Sequence, residues 1–167
     1  LRYLRSAAFG LSQPVSTIQQ ALALLGEKQL KRWACLVAMA GLTQGKPAEL
    51  ARTALIRAAL CERLAKPLDM EDRQYELFLL GLLSVVDAMA GRPMADVIGH
   101  LPLAPDLRGA LLGDSSPMGK VLALVRGYEK AEWTALTALT GMLKLDSNAL
   151  ANQYQNSIQW ADQALQR

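Results

Sequence analysis

Few side chains in this sequence of 167 residues could carry out chemistry. His100 is its single histidine, and Cys35 and Cys61 are its two cysteines. A two-metal hydrolytic site needs several imidazoles and carboxylates around the ions, with room left for water and substrate. One histidine cannot provide that set, and the sequence has no HExxH, paired CxxC, P-loop, GxSxG or dinucleotide-binding glycine motif. We therefore predict no catalytic residue, no metal ligand and no cofactor.

The remaining polar candidates each have a structural interpretation beside the functional one. His100 lies in GHLP, where a helix ends before a proline, and a cation there interacts favourably with the helix dipole. Asp87 could be an acid with a perturbed pKa on a buried helix, or it could mark the polar edge of that helix. The structural interpretation is favoured for both residues.

The basic residues are spread along the chain and interleaved with acids, and the net charge is only +3. This pattern is typical of solvated helix faces and argues against nucleic-acid binding. One small basic patch stands out, at Lys28, Lys31 and Arg32, next to Trp33. We take these four residues as candidates for partner binding, with a solvated face as the alternative.

Hydropathy and cysteine content restrict the location of the protein. The longest apolar run, 77–86, is shorter than the roughly 18–20 residues of a membrane span, and no signal peptide is visible. The two cysteines lie in apolar helical segments, where reduced core thiols are expected in a cytosolic protein. We therefore expect a cytoplasmic protein with no membrane insertion.

A helical period of about 3.6 residues runs through nearly every segment, and no segment alternates like a strand. Apolar residues make up 51% of the chain. The predicted helices cover 1–8, 16–26, 27–40, 47–66, 71–90, 94–99, 106–112, 117–129 and 133–143, with a last helix capped by Asp146 or Ser147. We expect an all-α, compact multi-helix bundle that forms one domain over 1–167. Because the chain begins at Leu1 inside an amphipathic segment, we expect it to be a fragment of a longer protein whose upstream domain is absent.

Three segments together resemble the HDOD domain, the HD-related output domain of bacterial signalling proteins. They are SAAFGLSQPVSTIQQALALLGEKQLKRW (6–33), TALIRAALCERLA (53–65) and GLLSVVD (81–87). The resemblance implies a bundle of the HD-domain type whose metal site is degenerate. Thr53 would replace the first metal-binding histidine, Ser84 and Val85 would replace the His-Asp doublet, and a last ligand would fall near Tyr128 and Glu129. An isopropyl group cannot coordinate a cation, so Val85 in particular implies that the site is lost.

The segment 91–133 is similar to the C-terminal part of bacterial proteins that join an N-terminal EAL domain to an HDOD domain. We therefore expect a non-catalytic signal-transduction and protein-interaction output module, linked to cyclic di-GMP through an upstream EAL domain. Its partners would be signalling proteins and that upstream domain. The candidate docking surfaces are residues 1–8 and the apolar stripe of the last helix, with a place in the core as the alternative for either. One alternative is a small-ligand or nucleotide pocket lined by Thr53, Ser84 and Asp87, and a weaker one is a residual metal-dependent phosphohydrolase. The sequence leaves the oligomeric state open.

Overall fold

The computed structural model describes residues 48–165, and over this range the all-α prediction is confirmed, with no strand present. The helices predicted at 1–8, 16–26 and 27–40 lie outside the described residues. The α-helices are α1 (Ala48–Leu64), α2 (Gln74–Leu83), α3 (Val86–Ala90), α4 (Met94–Ile98), α5 (Pro105–Leu111), α6 (Pro117–Glu129), α7 (Trp133–Leu143) and α8 (Ser147–Leu165). Two short 3₁₀ helices, Lys66–Leu68 and Glu71–Arg73, connect α1 to α2.

Helix α1 is the element around which the others pack, because it contacts α2, α6 and α8. Its small residues Ala54, Ala58 and Ala59 are buried and let the neighbouring helices approach. Its larger residues Leu60 and Leu64 belong to the main core, together with side chains of α2, α5, α6 and α7. A second apolar cluster joins α1 to α2, α3 and α8 around Phe78.

The backbones of α1 and α2 come very close at Gly81. A Cβ atom placed on Gly81 would lie 2.2 Å from the carbonyl oxygen of Arg57. Only glycine leaves room for this approach, which brings the C-terminal end of α2 against the middle of α1.

The single helix predicted over 71–90 is wrong, since the chain forms α2, a turn at Ser84 and Val85, and then α3. The Ser84 backbone N–H and its hydroxyl both donate to the Gly81 carbonyl oxygen, at 3.3 and 2.7 Å. Bonds from residue i to residue i−3 tighten the last turn of a helix, and a serine hydroxyl can compete for the same carbonyl. The break therefore falls at the residues that the family resemblance aligns with a metal-binding doublet.

The later helix boundaries agree with the predicted ones, including 117–129 and 133–143. The cap of α8 is Asp146, whose carboxylate accepts from the backbone N–H groups of Asn148 and Ala149 at 3.2 and 3.3 Å. Such a cap satisfies N–H groups that have no partner within the helix.

The apolar stripe of α8 is largely core. Leu150 and Ala161 are buried, Tyr154 and Ile158 are partly buried, and Leu165 is exposed. Arg52 on α1 and Asp162 on α8 are joined by an ion pair with Nε–Oδ1 at 2.7 Å. The stripe thus holds α8 against α1, which leaves little of it for a partner.

We expect the substitution Gly81→Ala to lower the free energy of unfolding by about 2 kcal/mol, since inserting a methyl group into a packed contact costs roughly 1–3 kcal/mol. The matched control is Gly141→Ala on α7, where an added Cβ meets no atom within 4 Å. There the better helix propensity of alanine should raise stability by up to about 1 kcal/mol. Urea unfolding of both variants measures the two changes, and equal effects would contradict the close approach at Gly81.

Candidate functional site

The residues that the resemblance aligns with metal ligands do not form a metal site. Thr53 is half-buried on α1, while Ser84 and Val85 are buried in the turn between α2 and α3. The Val85 side chain belongs to the apolar cluster around Phe78. Within residues 48–165, no group of three or more His, Cys, Asp and Glu side chains could hold a metal ion. The residues present therefore do not fit a divalent cation.

A polar cluster centred on Arg57 lies at this place instead. Arg57 is one turn beyond Thr53 on α1, and its Nε and Nη2 donate to the carboxylate of Glu129 on α6 at 2.7–3.0 Å. Its Nη1 donates to the Ser84 hydroxyl at 3.1 Å and reaches the Ser84 carbonyl oxygen at 3.5 Å. The Arg57 and Glu129 side chains are only 15% and 16% exposed, so the ion pair is largely removed from water.

A second guanidinium, that of Arg126, approaches the same turn from α6. Its Nη2 donates to the Ser84 carbonyl oxygen at 3.0 Å. Burial, followed by the nearby positive charge of Arg57, lowers the pKa of Arg126, while the charge of Asp87 opposes this shift. Two cations thus meet one backbone carbonyl, although the carboxylate of Glu129 binds only one of them.

This arrangement satisfies the C-terminal end of α2 inside the core. The last carbonyl oxygens of a helix have no partner within it, and positively charged groups interact favourably with that end. Arg57 and Arg126 supply the donors, and Glu129 neutralises Arg57. The cluster joins α1, the turn at Ser84 and α6 through a guanidinium, where the resemblance would place a metal ion.

Three aromatic rings, from α6, α7 and α8, pack together near Glu129. The rings of Tyr128 and Tyr154 lie 4.9 Å apart, and those of Tyr128 and Trp133 lie 6.4 Å apart in an edge-to-face contact. Burial and the negative charge of Glu129 raise the pKa of the Tyr154 hydroxyl. Tyr154 therefore lies close enough to Glu129 to be affected by its charge.

The other predicted candidates are scattered. His100 is exposed in the turn after α4, and Asp87 is half-buried on α3 near Arg126. Trp133 is 64% exposed. The four partner-binding candidates, Lys28, Lys31, Arg32 and Trp33, lie outside the described residues and remain predictions, as does the candidate surface at 1–8.

Sequence reasoning missed Arg57 and Arg126, which hold the cluster together. Arg57 lies inside the apolar segment TALIRAALCERLA, and a charged residue on a buried helix face needs a partner. This position could have indicated a buried ion pair. The last ligand that the resemblance places near Tyr128 and Glu129 falls at the end of α6, where the Glu129 carboxylate binds Arg57.

A cleft of about 420 Å³ lies apart from this cluster. It is bounded by the 3₁₀ connection, the first turns of α5 and α6 and the last turn of α7. Its lining includes Met70, Met118 and Met142, together with the ion pair of Arg73 and Asp106. It includes none of the residues predicted to form a ligand pocket. Over the described range no helix has both the length and the apolar character that a bilayer crossing requires.

We expect the substitution Glu129→Gln to lower the free energy of unfolding by roughly 3 kcal/mol, because breaking a buried ion pair leaves an uncompensated charge. The matched control is Asp162→Asn, which breaks the more exposed pair with Arg52 and should cost far less. Urea unfolding measures both, and a Glu129→Gln effect no larger than that of Asp162→Asn would show that the pair does not hold the cluster.

Burial raises the pKa of the Cys61 thiol to about 12, one turn beyond Arg57 on α1. Between the ordinary thiol pKa of 9.0 and this value, the unfolded chain releases a proton that the folded chain keeps. Stability should therefore fall as the pH rises through this interval. The free energy of unfolding is measured as a function of pH in the Cys35→Ser variant and in the Cys35→Ser, Cys61→Ala variant. The variant that keeps Cys61 should lose stability more steeply with pH, and equal slopes in the two variants would contradict the raised pKa.

Comparison with known proteins supports the assignment made from the residues. The uncharacterized protein YuxH of Bacillus subtilis is 30% identical over 163 residues, covering 96% of this chain and 39% of YuxH. Cyclic di-GMP phosphodiesterase CdgJ of Vibrio cholerae is 32% identical over 133 residues, covering 80% of this chain and 31% of CdgJ. The chain thus spans less than half the length of these relatives, and no solved structure matches it.

The sequence model of the HDOD domain matches residues 1–90, more than half of the chain. That match includes α1, α2 and the turn at Ser84, which Arg57 and Arg126 contact. The chain belongs to the HDOD domain family.

Proposed function

We propose that this chain is a non-catalytic output module of a bacterial signalling protein, which acts through contacts with other proteins. The observation that carries the proposal is the ion pair of Arg57 and Glu129, which lies beside Ser84, one of the residues that the resemblance aligns with metal ligands. A guanidinium whose donors are bound to a carboxylate and to Ser84 has no open coordination position and activates no water.

The pathway that we propose is cyclic di-GMP signalling. The support is the similarity to a relative whose name is cyclic di-GMP phosphodiesterase, together with the resemblance of 91–133 to EAL–HDOD proteins. In this proposal residues 1–167 are one domain of a longer cytoplasmic protein. An upstream EAL domain would carry the cyclic di-GMP chemistry, and the helical domain would pass its state to a partner.

The charge distribution favours a partner with an acidic surface. Residues 1–47 contain six basic residues and one acidic residue, Glu27. The proposed contacts at Lys28, Lys31 and Arg32 fall in this basic part. Complementary charge would speed association and exclude wrong partners.

The alternative of a ligand pocket at the degenerate metal site is less well supported. The Ser84 hydroxyl donates to Gly81 and accepts from Arg57, so its hydrogen bonds are used within the protein. The apolar side chain of Val85 is buried beside it. A ligand would have to displace both arginines before it could occupy this position.

An assay of the chain with cyclic di-GMP and with bis(p-nitrophenyl) phosphate tests the catalytic part of the proposal. In the presence of Mn²⁺, Fe²⁺ or Mg²⁺ we expect no hydrolysis above the buffer rate and no stoichiometric transition metal in elemental analysis. Metal-dependent turnover that survives further purification would overturn the non-catalytic assignment.

The link to cyclic di-GMP needs a test on the full-length protein. We expect removal of residues 1–167 to change its rate of cyclic di-GMP hydrolysis. A full-length protein that has no such activity, or that keeps an identical rate after the deletion, would contradict the proposed pathway.

A further inference from the structure

The guanidinium of Arg126 makes few hydrogen bonds to described residues for a side chain that is half-buried. The residue is half-buried on α6, and within residues 48–165 its only hydrogen bond is the one from Nη2 to the Ser84 carbonyl oxygen. A guanidinium has five N–H donors, so this single bond leaves one complete two-donor edge without a hydrogen bond to any described residue.

The described charges around Arg126 do not provide a counter-ion at bonding distance. Glu129 binds Arg57, and the shared contact with the Ser84 carbonyl places the positive charge of Arg57 close by. Asp87 interacts with Arg126 electrostatically, but among the described residues Arg126 forms no ion pair within 4.0 Å. A partly desolvated cation beside a second cation is costly, and a matching anion would offset that cost.

The geometry favours a carboxylate as this anion. The free edge of a guanidinium matches the two oxygens of a carboxylate, and the paired hydrogen bonds are short and directional. Phosphate could also bind such an edge, but it carries more negative charge. Glu129 and Asp87 lie nearby and would repel a dianion more strongly than a single carboxylate.

We propose that Arg126, oriented by the Ser84 carbonyl, is the anchor for an aspartate or glutamate side chain of a partner protein. This inference rests on the interaction role proposed above, and it adds the chemistry that the partner must present. Arginine is one of the residues that most often dominate the energy of protein interfaces. Because the turn at Ser84 already holds Arg126, little conformational freedom remains to be lost on binding.

The test uses the ¹⁵N-labelled chain and the NMR signals of its arginine Nε–H groups. The probe is N-acetyl-glutamate N-methylamide, and the matched neutral compound is the glutamine analogue. We expect a saturable shift of the Arg126 signal with a millimolar dissociation constant, and no saturable shift with the analogue. The exposed Arg92 serves as the reference for non-specific charge effects.

Two variants distinguish the anchor from a merely structural residue. Arg126→Gln should lose the saturable response. Arg126→Lys, which keeps the charge but not the two-donor edge, should weaken the probe's binding about tenfold, measured on the neighbouring backbone amides. Dispersed backbone spectra of both variants establish that they are folded. An unchanged affinity in Arg126→Lys would overturn the bidentate site.

Three further results would overturn the proposal. The first is a response at Arg126 that equals the response at Arg92. The second is saturable binding of inorganic phosphate with none of the carboxylate probe. The third is an Arg126 signal that shifts in Glu27→Gln without any probe, because Glu27 of the same chain would then be the occupant. Catalytic turnover would instead contradict the proposed function and leave the Arg126 titration unaffected.

Discussion

The architecture depends on how the C-terminal end of α2 is satisfied inside the core. A helix that ends among apolar side chains leaves carbonyl oxygens without partners, and each one would cost free energy if left alone. Here the chain turns at the buried Ser84, where Arg57 donates to the hydroxyl and Arg126 to the carbonyl oxygen. Those cations must in turn be compensated, and Glu129 compensates Arg57. The hydrogen bonds at the C-terminal end of α2 therefore help to fix the position of α6 relative to α1 and α2.

The close approach at Gly81 and the polar cluster support each other. The missing Cβ lets α2 lie against the backbone of Arg57, and this contact brings Ser84 within reach of the Arg57 side chain. A bulkier residue would separate the two helices and lengthen the hydrogen bonds one turn later. Apolar packing around Leu60 and Phe78 supplies most of the burial, whereas the cluster fixes the relative placement of the helices.

Much of the described fold followed from periodicity and from proline, glycine and capping residues. The bounds of α6 and α7 were predictable because a proline or a short polar connection marks each start. The break at Ser84 was not predictable, since GLLSVVD has no proline and reads as one apolar helix. It arises from contacts with Arg57 and Arg126, which are 27 and 42 residues away in sequence. Likewise, the resemblance implied that Thr53, Ser84 and Val85 stand where metal ligands would be, but the sequence could not show that the Arg57 side chain contacts Ser84.

The cation that joins these helices is a side chain, and this restricts how the scaffold can transmit a change. A metal ion can leave or exchange ligands, whereas a guanidinium is covalently part of α1 and has a fixed set of donors. Any movement of α6 that displaces Glu129 must therefore also act on Arg57, and through it on the turn at Ser84. Arg126 shares that turn and has donors that bind no residue within 48–165. A carboxylate bound there would pull on the same carbonyl that Arg57 contacts, so partner binding and the internal ion pair would act on one element. Coupling of this kind needs two contacts that bias one structural element, and no chemical step at the site is required.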